Sequence, residues 1–124
     1  MDSSINDKSC RKFFDDSYVI RRMVAYESKD KKNLENPGVY AFLSRYHADE
    51  LGLPSWFVFD QNGNLLADSQ MRPHGANITT PGENIGCPAS EKEVASFIEV
   101  LKKTSHLNAS QQAAIEKRFL QNAE

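Results

Sequence analysis

Hydrophobic residues recur at helical spacing in several parts of the chain. After Asn36-Pro37 they stand at positions i, i+3, i+4 and i+7, which predicts an amphipathic helix that runs to about Asp49. Its hydrophobic residues are Val39, Phe42, Leu43 and Tyr46. Nearer the start, Asn6 or Asp7 is a suitable cap for a short helix that continues through Phe14. The inward positions of this helix are Ile5, Cys10, Phe13 and Phe14.

Two more helices are predicted from capping signals in the C-terminal third. Ser90 is followed three residues later by Glu93, which is the spacing of a capping box. Asn108 and Gln111 have the same spacing, and the helix behind them is predicted to end at about Gln121. The hydrophobic residues of the two helices are Val94, Phe97, Ile98, Leu101, Ile115 and Phe119.

Apolar and aromatic runs predict three strands. Tyr18–Tyr26 is the first, and the pair Arg21-Arg22 inside it favours an edge position over the centre of a sheet. Ser55–Phe59 and Leu65–Ser69 are the other two. They flank Asp60–Asn64, whose Asp, Asn and Gly residues are typical of a turn between antiparallel strands.

The predicted order is helix, strand, helix, strand, strand, helix, helix, which indicates an α/β protein. A loop from Gln70 to Ala89 is rich in Pro, Gly, Asn and Thr, and loops of this length are often functional. With 124 residues, of which 40% are hydrophobic and 26% charged, residues 1–124 are predicted to form a single domain.

The charge distribution argues against a nucleic-acid or membrane partner. The net charge is −2 and the basic residues are scattered among acidic ones, so no polyanion-binding face is expected. No apolar stretch approaches the ~20 residues that span a bilayer, so a soluble protein is expected. The first ten residues have no signal-peptide core. The localisation stays open: cytoplasmic by default, periplasmic if a signal peptide is encoded upstream.

The two cysteines, Cys10 and Cys87, lie far apart and belong to no Cys-x-x-Cys pair. No histidine stands near either at metal-ligand spacing, so no metal site and no cofactor are predicted. Cys10 lies among apolar helix positions and is expected to be buried and inert. Cys87 lies in a loop just before a helix start, where backbone N–H groups favour a thiolate, and is a possible reactive thiol.

The segment from Gly52 to Asn64 resembles the thioredoxin superfamily. It reads Gly-Leu-Pro-Ser-Trp-Phe-Val-Phe-Asp-Gln-Asn-Gly-Asn: a Gly-x-Pro before an aromatic strand, followed by Asp-x-x-Gly. In that superfamily this pattern marks the third strand and its hairpin, and the proline is the cis-proline beside the redox site. The resemblance therefore implies a thioredoxin-like three-layer α/β fold and a cis Leu53-Pro54 peptide bond.

The resemblance also implies a function, that of a thiol-disulfide oxidoreductase acting on protein or peptide thiols and disulfides. Leu53, Pro54 and Ser55 are the implied substrate-binding residues, because the residue before the cis-proline presents its backbone to an extended peptide. The alternative is a non-catalytic thioredoxin-like module that binds peptides or proteins. Whether the protein is an enzyme, and its oligomeric state, stay open.

The superfamily's Cys-x-x-Cys lies between the first strand and the first helix, and this chain has no such pair. One alignment treats Asp7-Lys8-Ser9-Cys10 as a degenerate motif, and the other places Met1-Asp2-Ser3-Ser4 just after the motif. Seven residues separate Cys10 from the strand at Tyr18, too few for the first helix, whereas sixteen separate Met1 from it. We therefore expect the second alignment.

The second alignment implies a thioredoxin-like domain that lacks its first strand and its redox motif and is N-terminally incomplete. In the resembled fold that strand lies between the second and third, so its absence leaves their backbone groups without ladder partners. Alternatively, Met1 is a genuine start and the remaining elements close up in a different arrangement.

Overall fold

The chain divides into two units. The computed structural model describes all 124 residues; Met1–Tyr18 and Gly52–Glu124 form one unit, and Val19–Leu51 forms the other. The α-helices are α1 (Asp2–Ile5), α2 (Arg11–Ser17), α3 (Val39–Arg45), α4 (Glu91–Thr104) and α5 (Ala109–Leu120), with 3-10 helices at Lys29–Leu34 and Gln121–Ala123. The strands are β1 (Phe57–Phe59), β2 (Leu65–Asp68), β3 (Gln70–Met71) and β4 (Glu83–Asn84).

Helices α4 and α5 begin where the capping signals predict. The backbone N–H of Glu93 donates to Ser90 Oγ over 3.2 Å, and the backbone N–H of Ser90 donates to Glu93 Oε1 over 3.1 Å. Asn108 and Gln111 make the same reciprocal pair at 2.9 Å each. These bonds satisfy donors that a helix N-terminus leaves without partners.

An aromatic cluster forms the core of the larger unit. The ring of Phe97 on α4 lies 4.8 Å from that of Phe119 on α5 and 6.3 Å from that of Phe14 on α2. All three side chains are buried. Aromatic pairs at such distances add about 0.5–1.5 kcal/mol each beyond their buried area, so this cluster ties three helices together.

The hairpin forms as predicted, with shorter strands. In β1 and β2, Phe57 faces Asp68 and Val58 faces Ala67, and the register becomes irregular at Phe59. The turn is closed by Asp60, whose carboxylate accepts hydrogen bonds from the backbone N–H groups of Asn62 and Asn64. The hydrogen bonds from Asn64 are the main reason that the pKa of Asp60 lies below its usual value.

The predicted loop from Gln70 to Ala89 contains a second, two-stranded sheet. In β3 and β4, Gln70 pairs with Asn84 and Met71 pairs with Glu83, antiparallel. Gly82 is required here, because a Cβ atom at this position would lie 2.6 Å from the carbonyl oxygen of Met71. Asn84 lies fourteen residues beyond Gln70, so the chain returns to pair with the strand from which the loop starts, and this pairing holds the two ends of the loop together.

The prediction of a strand at Tyr18–Tyr26 is wrong. The segment has no ladder partner, and three of its backbone groups bond within the smaller unit. The N–H and C=O of Val24 bond to the side chain and the N–H of Asn36, and the Tyr26 N–H donates to the Tyr40 hydroxyl. Asn36 and Tyr40 thus satisfy groups that a neighbouring strand would otherwise bind.

Two predicted helix boundaries also need correction. The helix predicted to reach Asp49 ends at Arg45, because His47 has φ +57° and the Ala48 N–H bonds back to the carbonyl of Leu43 over 2.7 Å. A left-handed residue with this back-bond is a common helix ending.

The helix predicted from Asn6 or Asp7 through Phe14 begins later, at Arg11, and runs to Ser17 as α2, whereas the short α1 ends at Ile5, before the predicted cap. Asp7 accepts hydrogen bonds from the backbone N–H and the hydroxyl of Ser9, at 3.0 and 2.7 Å. Such a side-chain turn competes with helical backbone hydrogen bonds. Helix α2 therefore begins only at Arg11, with Cys10 at its N-cap.

The fold is mixed α/β with two small antiparallel sheets, β1-β2 and β3-β4. None of its helices combines the length and the apolar character that crossing a membrane requires.

Candidate functional site

The Leu53-Pro54 peptide bond is cis, as the sequence predicts. It lies just before β1, and Leu53 is exposed over 54% of its surface. Pro54 is exposed as well, whereas Ser55 is half-buried. The three predicted substrate-binding residues therefore form a continuous turn that reaches the surface of the larger unit.

Asn84 braces this turn from the other sheet. Its side-chain Nδ2 donates to the carbonyl oxygen of Gly52 over 2.7 Å and to that of Pro54 over 3.3 Å. Its Oδ1 accepts from the backbone N–H of Gly86 over 3.2 Å. One side chain thus connects the cis-proline turn to the loop that follows β4.

Gly86 lies directly against Pro54. A Cβ atom on Gly86 would lie 3.4 Å from the carbonyl oxygen of Pro54, which is an ordinary contact, but the residue has φ +54° and therefore favours glycine. The indole Nε1 of Trp56 donates to the Gly86 carbonyl over 2.9 Å. The same indole packs edge-on against Phe97, with ring centroids 5.5 Å apart. The aromatic core thereby fixes the position of Gly86.

Cys87 follows in the same loop and is half-buried. The side-chain Nδ2 of Asn122 donates to its Sγ over 3.6 Å and to the Pro88 carbonyl over 3.2 Å. Asn122 also exchanges hydrogen bonds with the hydroxyl of Ser4 on α1. The structure therefore brings the loop after β4 together with the first helix, and it places the Cys87 thiol one residue from the glycine that contacts Pro54.

Cys10 is part of the interior. It is 1% exposed and its thiol donates to the carbonyl of Ser4 over 3.1 Å. Burial raises the pKa of this thiol above its usual value. A buried thiol with a raised pKa is a poor nucleophile, which agrees with the prediction of an inert cysteine.

The backbone of the turn has unused hydrogen-bonding groups. The N–H and C=O groups of both Leu53 and Ser55 have no partner within the chain. The neighbouring carbonyls of Gly52 and Pro54 are both bound by Asn84. An extended peptide could therefore hydrogen-bond to this turn without displacing an existing bond.

A separate depression lies between β2, α4 and the 70–84 loop, with a volume of about 380 Å³. Of its charged groups, Asp68 pairs with Arg72, Glu99 pairs with Lys102 at the surface, and Lys103 Nζ donates to the carbonyl of Leu66 over 3.1 Å. The structure also holds no group of three or more His, Cys, Asp or Glu residues that could bind a metal ion.

The sequence pointed to the cis-proline turn and to Cys87, and the structure places the residue before Cys87, Gly86, against Pro54. The sequence did not point to Asn84 or Asn122. Asn84 lies two residues from Gly86 in sequence, and its position in a long loop flanked by glycines was the only available signal. Asn122 stands beyond the last predicted helix and carries no signal. Comparisons with protein-family models, with curated proteins and with solved structures find no match.

Proposed function

We propose that the chain is a thioredoxin-like protein of the thiol-disulfide oxidoreductase type, with no Cys-x-x-Cys within its 124 residues. The observation that carries the proposal is the Leu53-Pro54 turn, which is exposed before a hairpin and packs against Gly86, the neighbour of Cys87. This is the arrangement that the resemblance to the superfamily implies for the substrate side of a redox site.

The turn supplies the peptide-binding part of this function. Leu53 offers a free N–H and a free C=O, which is what an added strand needs. Pro54 has no N–H to satisfy, so its ring faces the approaching peptide without an unpaired donor. Protein or peptide thiols and disulfides are the proposed partners.

The redox step itself requires two thiols. A thiolate attacks one sulfur of a substrate disulfide, the S–S bond breaks, and the departing sulfur takes a proton as a thiol. A second thiolate then attacks the mixed disulfide, which releases the reduced substrate and leaves an oxidised pair. Cys10 does not suit either role, because it is buried and its thiol is bound to the Ser4 carbonyl.

A non-catalytic peptide-binding module is the second candidate function, and the state of the cysteines favours it. Cys10 is buried and Cys87 bonds to Asn122 instead of a second thiol, whereas the backbone groups of Leu53 have no partner within the chain. Such a module would bind extended peptides without changing their oxidation state.

Two experiments separate these functions. The first reads the genomic sequence upstream of the Met1 codon: an in-frame apolar strand followed by Cys-x-x-Cys supports the oxidoreductase, and a stop codon supports the module. The second joins a strand and a Cys-x-x-Cys segment to Met1 and measures dithiothreitol-driven insulin reduction. The matched control carries Ser-x-x-Ser in the same segment. Reductase activity restricted to the cysteine form supports the oxidoreductase, and equal inactivity of both forms contradicts it.

A further inference from the structure

Strand β2 lines the depression between β2, α4 and the 70–84 loop, and it pairs with β1 on one side only. Hydrogen-bonded and non-hydrogen-bonded residue pairs alternate along an antiparallel ladder. The Ser69 N–H donates to the Trp56 carbonyl over 2.9 Å, and the next pair along the ladder is Asp68 with Phe57. The N–H and C=O of Asp68 therefore point away from β1, to the open side of the strand.

Side chains bind the backbone groups on either side of Asp68. The Gln70 N–H donates to Asp68 Oδ1 over 3.0 Å, and the Gln70 carbonyl accepts from Arg72 Nη1 over 3.3 Å. Two residues before Asp68, the Leu66 carbonyl accepts from Lys103 Nζ over 3.1 Å. The N–H and C=O of Asp68 itself have no partner in the chain, although this residue is only 5% exposed. Because buried backbone groups are almost always paired, this donor and acceptor point to a ligand that binds both.

The walls of the depression suit an extended peptide. Val100 and Lys103 lie one turn apart on α4, and Ile78 comes from the loop. Val100 and Ile78 are half-buried and offer apolar contacts. The volume of about 380 Å³ lies within the ~300–1,000 Å³ that is usual for ligand sites. An extended residue carries its N–H and C=O on one side, so a peptide residue can exchange two hydrogen bonds with Asp68.

Lys103 favours one direction of the peptide. Its ammonium has three donors and pairs with no carboxylate, whereas Glu99 at the same rim pairs with Lys102. In an antiparallel pairing the carboxyl end of a peptide runs from Asp68 towards Leu66 and Lys103. In a parallel pairing the amino end does. Lys103 attracts a free carboxylate at this position and repels a free amine.

We propose that the depression binds the C-terminal end of an extended peptide. One peptide residue pairs antiparallel with Asp68 through its N–H and C=O, and the terminal carboxylate, two residues further on, binds Lys103. The partner is a peptide or protein with an apolar C-terminus whose carboxylate is free. The site is separate from the cis-proline turn, and the inference does not depend on the proposed function.

The test titrates the ¹⁵N-labelled chain from Met1 to Glu124 with acetyl-Val-Ala-Val, once with a free C-terminal carboxylate and once with a carboxamide. The two peptides differ only in the charge at the C-terminus. Lys103→Met removes the ammonium and keeps the apolar stem. Lys102→Met is the matched control, because Lys102 is the adjacent lysine and does not line the depression. Amide chemical shifts report the position of the peptide and its dissociation constant.

We expect both peptides to shift the Asp68 amide more than those of residues 53–55. The carboxylate peptide should bind the wild type and Lys102→Met about fivefold more tightly than the carboxamide, which is the upper end for an exposed ion pair. In Lys103→Met the two peptides should bind equally, with the affinity that the carboxamide has for the wild type. If Lys103 had only a structural role, its replacement would weaken both peptides alike.

Equal affinities of the two peptides for the wild type would overturn the assigned direction and the role of Lys103 without any variant. Loss of the preference for the carboxylate in Lys102→Met as well would also overturn that role. Shifts confined to residues 53–55 would place the peptide at the cis-proline turn. No shift of the Asp68 amide with either peptide would mean that its backbone groups bind water only. Either of these last two results would overturn the site.

Discussion

Arg72 and Asp68 form an ion pair inside the larger unit, and its removal gives a measurable loss of stability. Arg72 Nη1 lies 2.7 Å from Asp68 Oδ1, and Nη2 lies 2.9 Å from Oδ2. The side chains are 11% and 2% exposed. Arg72→Met keeps the apolar stem of the side chain and leaves the Asp68 carboxylate buried without its cation.

The size of the expected loss of stability depends on the hydrogen bonds that Asp68 keeps when Arg72 is replaced. Breaking a buried ion pair by removing one partner costs about 3–5 kcal/mol. Asp68 still accepts hydrogen bonds from the backbone N–H of Gln70 at 3.0 Å and from its side chain at 3.4 Å. These donors stabilise the carboxylate in part, so we expect Arg72→Met to lower the free energy of unfolding by about 3 kcal/mol. The free energy of unfolding of a whole domain is only about 5–15 kcal/mol, so this loss is a large part of it.

Urea denaturation followed by far-ultraviolet circular dichroism measures this loss. Lys102→Met is the matched control, because Lys102 pairs with Glu99 on the surface, where the two side chains are 50% and 72% exposed. Exposed pairs contribute about 0–1 kcal/mol, so the control should change little. The double variant Asp68→Asn with Arg72→Met should recover part of the loss, since the unpaired charge is gone. Equal losses in Arg72→Met and Lys102→Met would refute the reasoning.

Three further predictions concern single residues. The chain from Met1 to Glu124 should show no insulin reductase activity, and Cys87→Ser should leave that result unchanged; turnover that disappears in Cys87→Ser would contradict this. Trp56→Phe removes the donor to the buried Gly86 carbonyl and should lower the free energy of unfolding by about 1–3 kcal/mol in urea titrations. Hydrogen bonds from Ser9, together with Arg118, lower the pKa of Asp7 from 3.8 to about 2. A carboxyl group whose pKa is lower in the folded state stabilises the fold at pH values above its unfolded-state pKa. This stabilisation is lost as the pH falls towards the folded-state pKa. The stability difference between wild type and Asp7→Asn should therefore shrink between about pH 4 and pH 2 in acid titrations, and a constant difference would contradict it.

The features that the sequence predicted correctly depend on residues close together in the chain. The caps at Ser90 and Asn108 need a partner only three residues away. The hairpin turn needs Asp60 and the glycine that follows it at position 63, with φ +81°. In each case the interacting groups lie within one turn, so residue type and spacing are sufficient to predict the geometry.

The features that the sequence did not predict depend on partners that lie far away in the chain. Tyr18–Tyr26 has the composition of a strand, but a strand also needs a second chain segment to complete its ladder, and no pattern inside the segment shows whether one is present. Asn84 donates a hydrogen bond to the carbonyl of Gly52, which lies 32 residues away in the chain, so the residues next to Asn84 in sequence do not reveal its role. Local chemistry predicted where the turn would be, and long-range contacts decided what braces it.

The hydrogen bonds around Leu53 are unevenly distributed, and this pattern bears on the proposed peptide-binding function of the turn. No buried side-chain nitrogen or oxygen lacks a partner anywhere in the structure, so the fold satisfies its polar groups thoroughly. Around the cis-proline, Asn84 and Trp56 bind the carbonyls of Gly52, Pro54 and Gly86, yet both backbone groups of Leu53 are left for solvent. A turn that binds a peptide strand needs rigid neighbours and one free donor and acceptor between them, because ordering these groups in advance lowers the entropy lost on binding.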